Sequence, residues 1–268
     1  MMEEIITFKL CGKMAHFRKF YSNASALSHT IPPRTTIMGI LAATIGLPRD
    51  SYYHNSKEYP ELDKLLVGIR IASPLRKINQ KLNYLKTGDT PNLDDLMGFD
   101  NRSQVSSEFI VPTNIISGIV SYQVFIGTYQ KEDYLFQELK QKFYRQYSEF
   151  GISLGGANML GYIEVDGLFE LNFRPLKNSK SEFVIMNSAI PDSKVEKINY
   201  NTEITLEQDI LPHHFELLEN IKGFTQNRVA KTHTLLYSLS EHGGVELALS
   251  DTDNIFYLPQ LNFNISLY

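Results

Sequence analysis

The sequence is poor in cysteine: Cys11 is the only one among 268 residues. One thiol excludes an intrachain disulfide and any cluster of metal-binding thiolates. It fits a reducing compartment, and a cytoplasmic protein is expected. Apolar runs are also short. None approaches the roughly 20 residues that a membrane-crossing helix needs, so no membrane is expected among the partners. The chain begins MMEEIITFKL, with acids ahead of a brief apolar run, which is not the pattern of a secretory leader. A third absence is local. From residue 5 to residue 49 there is no Asp or Glu, although the whole chain carries a formal net charge of −4. A chain that is acidic overall can present a basic surface only locally, and this stretch is the place to look.

What the stretch does hold is cations, rings and hydroxyls. Lys9, Lys13, Arg18, Lys19, Arg34 and Arg49 are spaced along it, with His16 and His29. Phe17, Phe20 and Tyr21 are interleaved, and small polar residues fill 22–28. Cationic groups beside aromatic faces suit a phosphate backbone and unstacked bases. A second acid-free stretch lies between Asp63 and Asp89. It carries Lys64, Arg70, Arg76, Lys77, Lys81 and Lys86, with Tyr84 among them.

The periodicity outlines a mixed α/β (α+β) domain. Residues 5–10 read as a first strand. Pro32 and Pro33 hold the chain extended, and a helix follows, with Thr35 or Thr36 as its N-cap and Gly46 as its stop. Arg34 then sits beside a helix N-terminus, where an anion is favoured. Strands are read over residues 65–73, 108–112, 119–128 and 162–165. A helix is read over 131–150, with Leu135, Leu139 and Phe143 on one face. A glycine-rich loop containing Gly151, Gly155, Gly156 and Gly161 precedes the last of these strands. Without a Cβ such a loop can approach a ligand closely, and Asn158 beside it can hydrogen-bond a base or a 2′-OH. The order is that of a ferredoxin-like (RRM-like) domain over 1–175 with a polar finger inserted at 74–105. Residues 176–268 read as a smaller β-rich domain with a hairpin turn at Gly243-Gly244 and a modest basic patch at Lys222, Arg228 and Lys231.

Metal and nucleotide chemistry find no support. His213-His214 lacks HExxH spacing, Asp251 and Asp253 lack a calcium loop, and the glycine-rich loop lacks the Gly-Lys-Ser/Thr of a P-loop. No GxSxG elbow accompanies His242-Gly243-Gly244. No metal and no cofactor is expected. RNA cleavage without metal needs a proton acceptor and a cationic stabiliser, and His16, His29, Tyr21, Lys13 and Lys86 are the candidates.

Four pieces together carry a family resemblance: His16-Phe17-Arg18, Pro32-Pro33-Arg34-Thr35-Thr36, Gly39-Ile40-Leu41, and Gly46-Leu47-Pro48-Arg49-Asp50. With Leu154-Gly155-Gly156-Ala157-Asn158 further on, the chain resembles the CRISPR-associated RAMP subunit of family five in type I Cascade, most of all its subtype I-B branch. The resemblance implies an RNA-binding subunit that holds the 5′ handle of the crRNA and links the large subunit to the backbone subunits in antiviral defence. Its partners would be the crRNA, the backbone, large and crRNA-processing subunits, and target DNA through the complex. The finger would be the family's thumb, and the glycine-rich loop would contact RNA. The expected RNA-binding residues are Lys13, His16, Phe17, Arg18, Lys19, Arg34, Arg76, Lys77, Lys81, Lys86, Gly155, Gly156 and Asn158. In the subtype I-C branch the subunit itself cuts repeat RNA with a tyrosine and a Lys-His pair. No Lys-His dipeptide occurs here, so binding without catalysis is expected, with a metal-independent endoribonuclease as the alternative. A ferredoxin-like small-molecule or regulatory module is the third reading.

Overall fold

A computed structural model describes residues 2–22, 25–49, 51–52, 58–85, 93–97, 102–130, 133–165, 169–177, 182–200, 205–217, 228–241 and 243–268. Lys86, Lys222 and part of the expected finger lie outside the described residues.

In chain order the first half contains β1 (Glu4–Gly12), β2 (Phe17–Arg18), β3 (Ser28–His29), α1 (Arg34–Ile45), α2 (Pro60–Asp63), β4 (Leu66–Ile71) and β5 (Leu75–Leu85). There follow α3 (Leu93–Met97), β6 (Arg102–Pro112), β7 (Val120–Thr128), α4 (Tyr134–Tyr144), β8 (Ile152–Ser153) and β9 (Leu160–Glu164). Beyond them come β10 (Arg174–Pro175), β11 (Phe183–Met186), β12 (Ile190–Pro191), β13 (Val195–Ile198), β14 (Leu206–Leu217), β15 (Arg228–Ser238), β16 (Val245–Leu249), β17 (Ile255–Leu258) and β18 (Phe263–Ser266).

The central sheet has the order β4-β7-β1-β9-β8. Its neighbours are antiparallel throughout. Helix α1 carries the chain from β1 to β4, and α4 carries it from β7 to β9. Two crossovers thus interlock through one sheet, which is the expected ferredoxin-like βαββαβ arrangement. The alternation of β1 explains its place at the centre. Ile6, Phe8 and Leu10 enter one apolar cluster with α1 and α4, while Ile5 enters a second with Phe125, Phe256, Ile265 and Leu267. The second side is apolar only at its start: further along it carries buried Thr7, and Lys9, which is partly exposed and pairs with Glu164 at 3.5 Å.

The two helices are built differently because their surroundings differ. Helix α1 is apolar nearly all round, as a helix enclosed by other elements must be. It packs against α4 and β14. Its N-cap is Pro33, with no side-chain cap, rather than Thr35 or Thr36. Gly46 ends it at φ 79°, in the left-handed region that glycine tolerates. Helix α4 is amphipathic. Leu135, Phe136, Leu139 and Phe143 are buried, and the Asp133 carboxylate accepts from the backbone N–H of Leu135 at 3.0 Å and Phe136 at 3.3 Å.

Residues beyond 176 are β-rich, and their side chains enter the same core: Leu211, Leu235, Tyr237 and Tyr268 join the cluster around α1. Tyr268 and Val67 exchange backbone hydrogen bonds of 2.9 and 3.0 Å, and Ala189 N–H donates to Ile69 O, so the β4 edge is covered. The turn expected at Gly243-Gly244 is not a hairpin. Strand β15 pairs with β12 and β14, whereas β16 pairs with β11 and β13.

The inserted finger is a long hairpin. β5 and β6 pair from Leu75↔Pro112 to Leu85↔Arg102. Its base is core: Phe109, Ile110 and Val111 are buried, and Ala15 and Ile110 exchange backbone bonds. Its outer half projects past the N-terminal loop, which it meets at Ala26 and Ser107.

Candidate nucleic-acid interface

A groove of about 870 Å³ opens where five segments meet. The loop after β1 contributes His16, Phe17, Arg18 and Phe20. The start of α1 contributes Pro33, Thr35 and Thr36. The hairpin contributes Tyr84, Ser103 and Val105. The glycine-rich turn contributes Gly155 and Gly156, and β14 contributes Pro212 and Phe215. Among the described residues no carboxylate lines it. Hydroxyls, rings, backbone and one guanidinium form its surface.

Each wall has a local cause. His16 N–H donates to Leu154 O at 3.0 Å, which lays the first loop along the glycine-rich turn. The His16 ring donates from Nδ1 to the Glu108 carbonyl at 2.7 Å. Because a carbonyl only accepts, Nδ1 carries a proton and the ring is held in one orientation. Gly155 has φ 97°, and a Cβ there would lie 1.9 Å from His16 O. Gly156 is different. A Cβ on it would first meet the Asn158 side chain at 2.9 Å. Asn158 itself is exposed just outside the groove.

Lys19, Tyr21 and His29, in the segment after β1, are latched to β14 through Asp209. Lys19 Nζ and His29 Nδ1 both lie 2.8 Å from its Oδ2, and the Tyr21 hydroxyl donates to Oδ1 at 3.2 Å. Burial pushes the Asp209 carboxyl up, but the hydrogen bonds from His29 and Lys19 outweigh it and hold it far below the usual carboxylate range. Burial likewise lowers Lys19, yet its bonds to Asp209 and Tyr21 leave it raised overall. His29 is completely buried.

These contacts sort the expected RNA-binding residues. Arg18, His16, Phe17, Gly155 and Gly156 come together in the groove. Phe17 is 2% exposed and sets its ring edge-on to Tyr122, so it serves mainly as floor. Arg76 and Lys81 are exposed on the hairpin, outside the groove lining. Lys13 is also exposed and donates to Gly118 O at 3.1 Å. Lys77 is engaged by Glu207 at 3.4 Å and Glu108 at 3.8 Å. Lys19 is neutralised by Asp209.

Arg34 corrects the sequence reading most sharply. It is 3% exposed. Its guanidinium donates to Asp63 Oδ1 at 2.9 Å and to the carbonyls of Asp63, Leu65 and His213 at 2.6, 2.9 and 3.2 Å. It binds internal carbonyls instead of an external phosphate. Lys231, from the expected C-terminal patch, pairs with Glu216 at 3.4 Å.

Sequence reasoning passed over Phe215 and Asp209. The hydrophobic pattern hid this strand: Asp209 is buried and Ile210 exposed, the reverse of the apolar-in, polar-out alternation that marks a half-buried strand. Nothing local marked Asp209 as the partner of residues some 180 positions away. Among the described residues no group of three His, Cys, Asp or Glu side chains is placed to hold a metal ion, and no helix is long and apolar enough to cross a membrane.

Residues 5–108 match a protein family described as "CRISPR-associated protein (Cas_Cas5)". No curated protein matches the chain. Among solved structures, the chain is similar to one described as "CRISPR RNA-guided surveillance complex", at 12% identity over 90% of this chain and 91% of that one, with a TM-score of 0.48. A "Cas protein" crystal structure aligns at 12% identity over 88% and 95%, with a TM-score of 0.44. A chain of a Type III-B Cmr-beta complex bound to cognate target RNA and AMPPnP aligns at 10% identity over 91% and 86%, with a TM-score of 0.43.

Proposed function

We propose that this chain is a non-catalytic subunit of a type I CRISPR effector complex and that the groove receives the repeat-derived 5′ handle of the guide RNA. One observation carries the reading. The groove draws most of its lining from residues 16–105, inside the stretch that matches the CRISPR-associated family, and it is free of carboxylates among the described residues. A polyanion with unstacked bases suits hydroxyls, rings and an exposed guanidinium gathered in one concave surface. The long hairpin and the large subunit would then meet on either side of the handle, with the backbone subunits continuing along the guide and target DNA engaged through the whole complex. The subtype I-B assignment and the cytoplasm belong to the same proposal.

The endoribonuclease alternative has one observation in its favour: Lys19, Tyr21 and His29 converge on Asp209. The burial of His29 argues for a latch, since a general base must reach the 2′-OH it deprotonates. The deciding experiment incubates the purified chain with repeat-derived RNA and a scrambled control without metal. Preferential binding of intact handle RNA is the expected result. Site-specific cutting would replace this reading with the nuclease, and no preference for either RNA would remove both.

A further inference from the structure

Phe20 occupies an unusual position for an exposed ring. It is 51% exposed, yet its two neighbours, Lys19 and Tyr21, are both bound to the buried carboxylate of Asp209. The Phe20 and Tyr21 rings also meet edge-on, at 5.1 Å between centroids. An exposed phenylalanine is therefore held on a fixed backbone and lines the groove. Phe215 lines it from β14, the same strand that supplies Asp209, so one carboxylate ties these two walls together. Tyr84, 50% exposed on the hairpin, supplies the third ring. Rings held in a cleft next to hydroxyls present π-faces whose orientation costs little on binding.

The charge at the same place is small. Of the cations the sequence offers nearby, Lys19, Arg34 and Lys77 are spent on Asp209, Asp63, and Glu207 with Glu108. Arg18 is the cation that lines the groove among the described residues. A site built chiefly on phosphate contacts needs several free lysines or arginines. This groove instead combines three rings with one guanidinium.

We propose that the groove is a base-stacking slot for single-stranded RNA, in which Phe20, Tyr84 and Phe215 take unstacked bases and stacking outweighs phosphate charge in the affinity. The inference rests on the RNA-binding reading above and adds the mode of recognition. Within the slot a base counts for its π-face more than for its identity, so the preference for the handle sequence comes from contacts outside the three rings. It also follows that binding depends weakly on salt, with a log–log slope of about −0.7 to −1.4 for one or two neutralised phosphates on a single strand.

The chain contains no tryptophan. Phe20→Trp therefore places a single indole reporter in the groove, and Tyr134→Trp places one on α4, at a 76% exposed position away from it. Each full-length variant is titrated with a short single-stranded RNA and with an abasic ribose–phosphate oligomer of the same length. The expected result is quenching of the Phe20→Trp emission by RNA, little change with the abasic oligomer, and no change for Tyr134→Trp. Phe20→Ala and Tyr84→Ala should each weaken RNA binding about tenfold at an unchanged melting temperature, and Tyr84→Phe, which restores the ring, should recover most of the loss seen in Tyr84→Ala. Equal affinity for abasic and base-containing strands, or alanine variants within twofold of the parent, overturns the stacking slot while leaving RNA binding in place. A parent chain that binds neither strand overturns the RNA reading itself.

Discussion

Gly155 lies against the carbonyl oxygen of His16, so close that a Cβ on the glycine would sit 1.9 Å from it. Backbone meets backbone here, and neither side can swing away. The glycine also holds φ at 97°. Its neighbour Gly156 faces the groove, and a methyl there would first touch the mobile end of Asn158. Two adjacent glycines that look alike in sequence therefore have separate duties.

Gly155→Ala is expected to cost more than the ~1–3 kcal/mol of a strained backbone position alone, because the His16 segment must also shift. Gly156→Ala should cost within about 0.5 kcal/mol, as for an ordinary surface change. Thermal melting of the two variants checks this. Similar melting temperatures for both would mean that the loop relaxes freely.

Arg34 and Arg18 should separate in the opposite sense. Replacing Arg34 by Met leaves Asp63 and three carbonyls without their donor, and breaking a buried pair of this kind costs about 3–5 kcal/mol. Arg18→Ala should leave stability alone and reduce the salt slope of RNA binding by about 0.7. Melting curves and titrations at several salt concentrations distinguish the two. A reduced slope for Arg34→Met with unchanged melting would restore it as a phosphate ligand.

The contrast shows what the sequence could carry. Strand and helix periods placed β1, α1, β7 and α4, because their apolar spacing reflects burial that the chain itself specifies. The acid-free stretch led to the loop that lines the groove, since the absence of carboxylates there is local. The stretch could not reveal which cations remain available. Asp63 and Asp209 lie outside it and reach back through the fold to take Arg34 and Lys19, and Glu108 and Glu207 do the same to Lys77 of the second stretch. Long-range pairing of this sort leaves no local pattern. Phe215 was hidden for a similar reason: it is a groove residue only because β14 lies across the start of α1.

His213 predicts a pH dependence. Burial, and then the nearby Arg34 guanidinium and the His233 and His214 rings, push its imidazole down to about 3, while Asp63 opposes them weakly. An unfolded histidine titrates near 6.5. Between those values the unfolded chain binds a proton that the folded chain refuses, so stability falls as pH falls. Melting temperature should drop from about pH 6.5 to about pH 5, above the range where most carboxylates titrate. His213→Asn should flatten that limb. An equally steep limb in the variant would place the acid sensitivity elsewhere.

The hairpin offers the last test. Near its base Ile78 and Leu82 pack against the core, and Asn79↔Glu108 and Gln80↔Ser107 complete the ladder beside buried Phe109 and Ile110. Removing residues 77–86 would strip these contacts and leave half of β6 unpaired, so that cut should destabilise the whole chain. A cut further out avoids this. Asn83 faces Gln104 across the ladder, and the Gln104 side-chain amide donates to Asn83 Oδ1 at 3.3 Å. Joining these two residues through Asn-Gly in place of 84–103 closes the strands with the type I′ turn that suits their twist. The shortened protein should melt within a few degrees of the parent, since neither Tyr84 nor Ser103 is buried. It loses both residues from the groove wall and keeps Val105. RNA binding should therefore weaken by at least as much as in Tyr84→Ala, while circular dichroism stays that of the parent. If the trimmed chain binds RNA as tightly as the parent, the hairpin tip is no part of the RNA site, and the groove ends at the N-terminal loop, the start of α1 and β14.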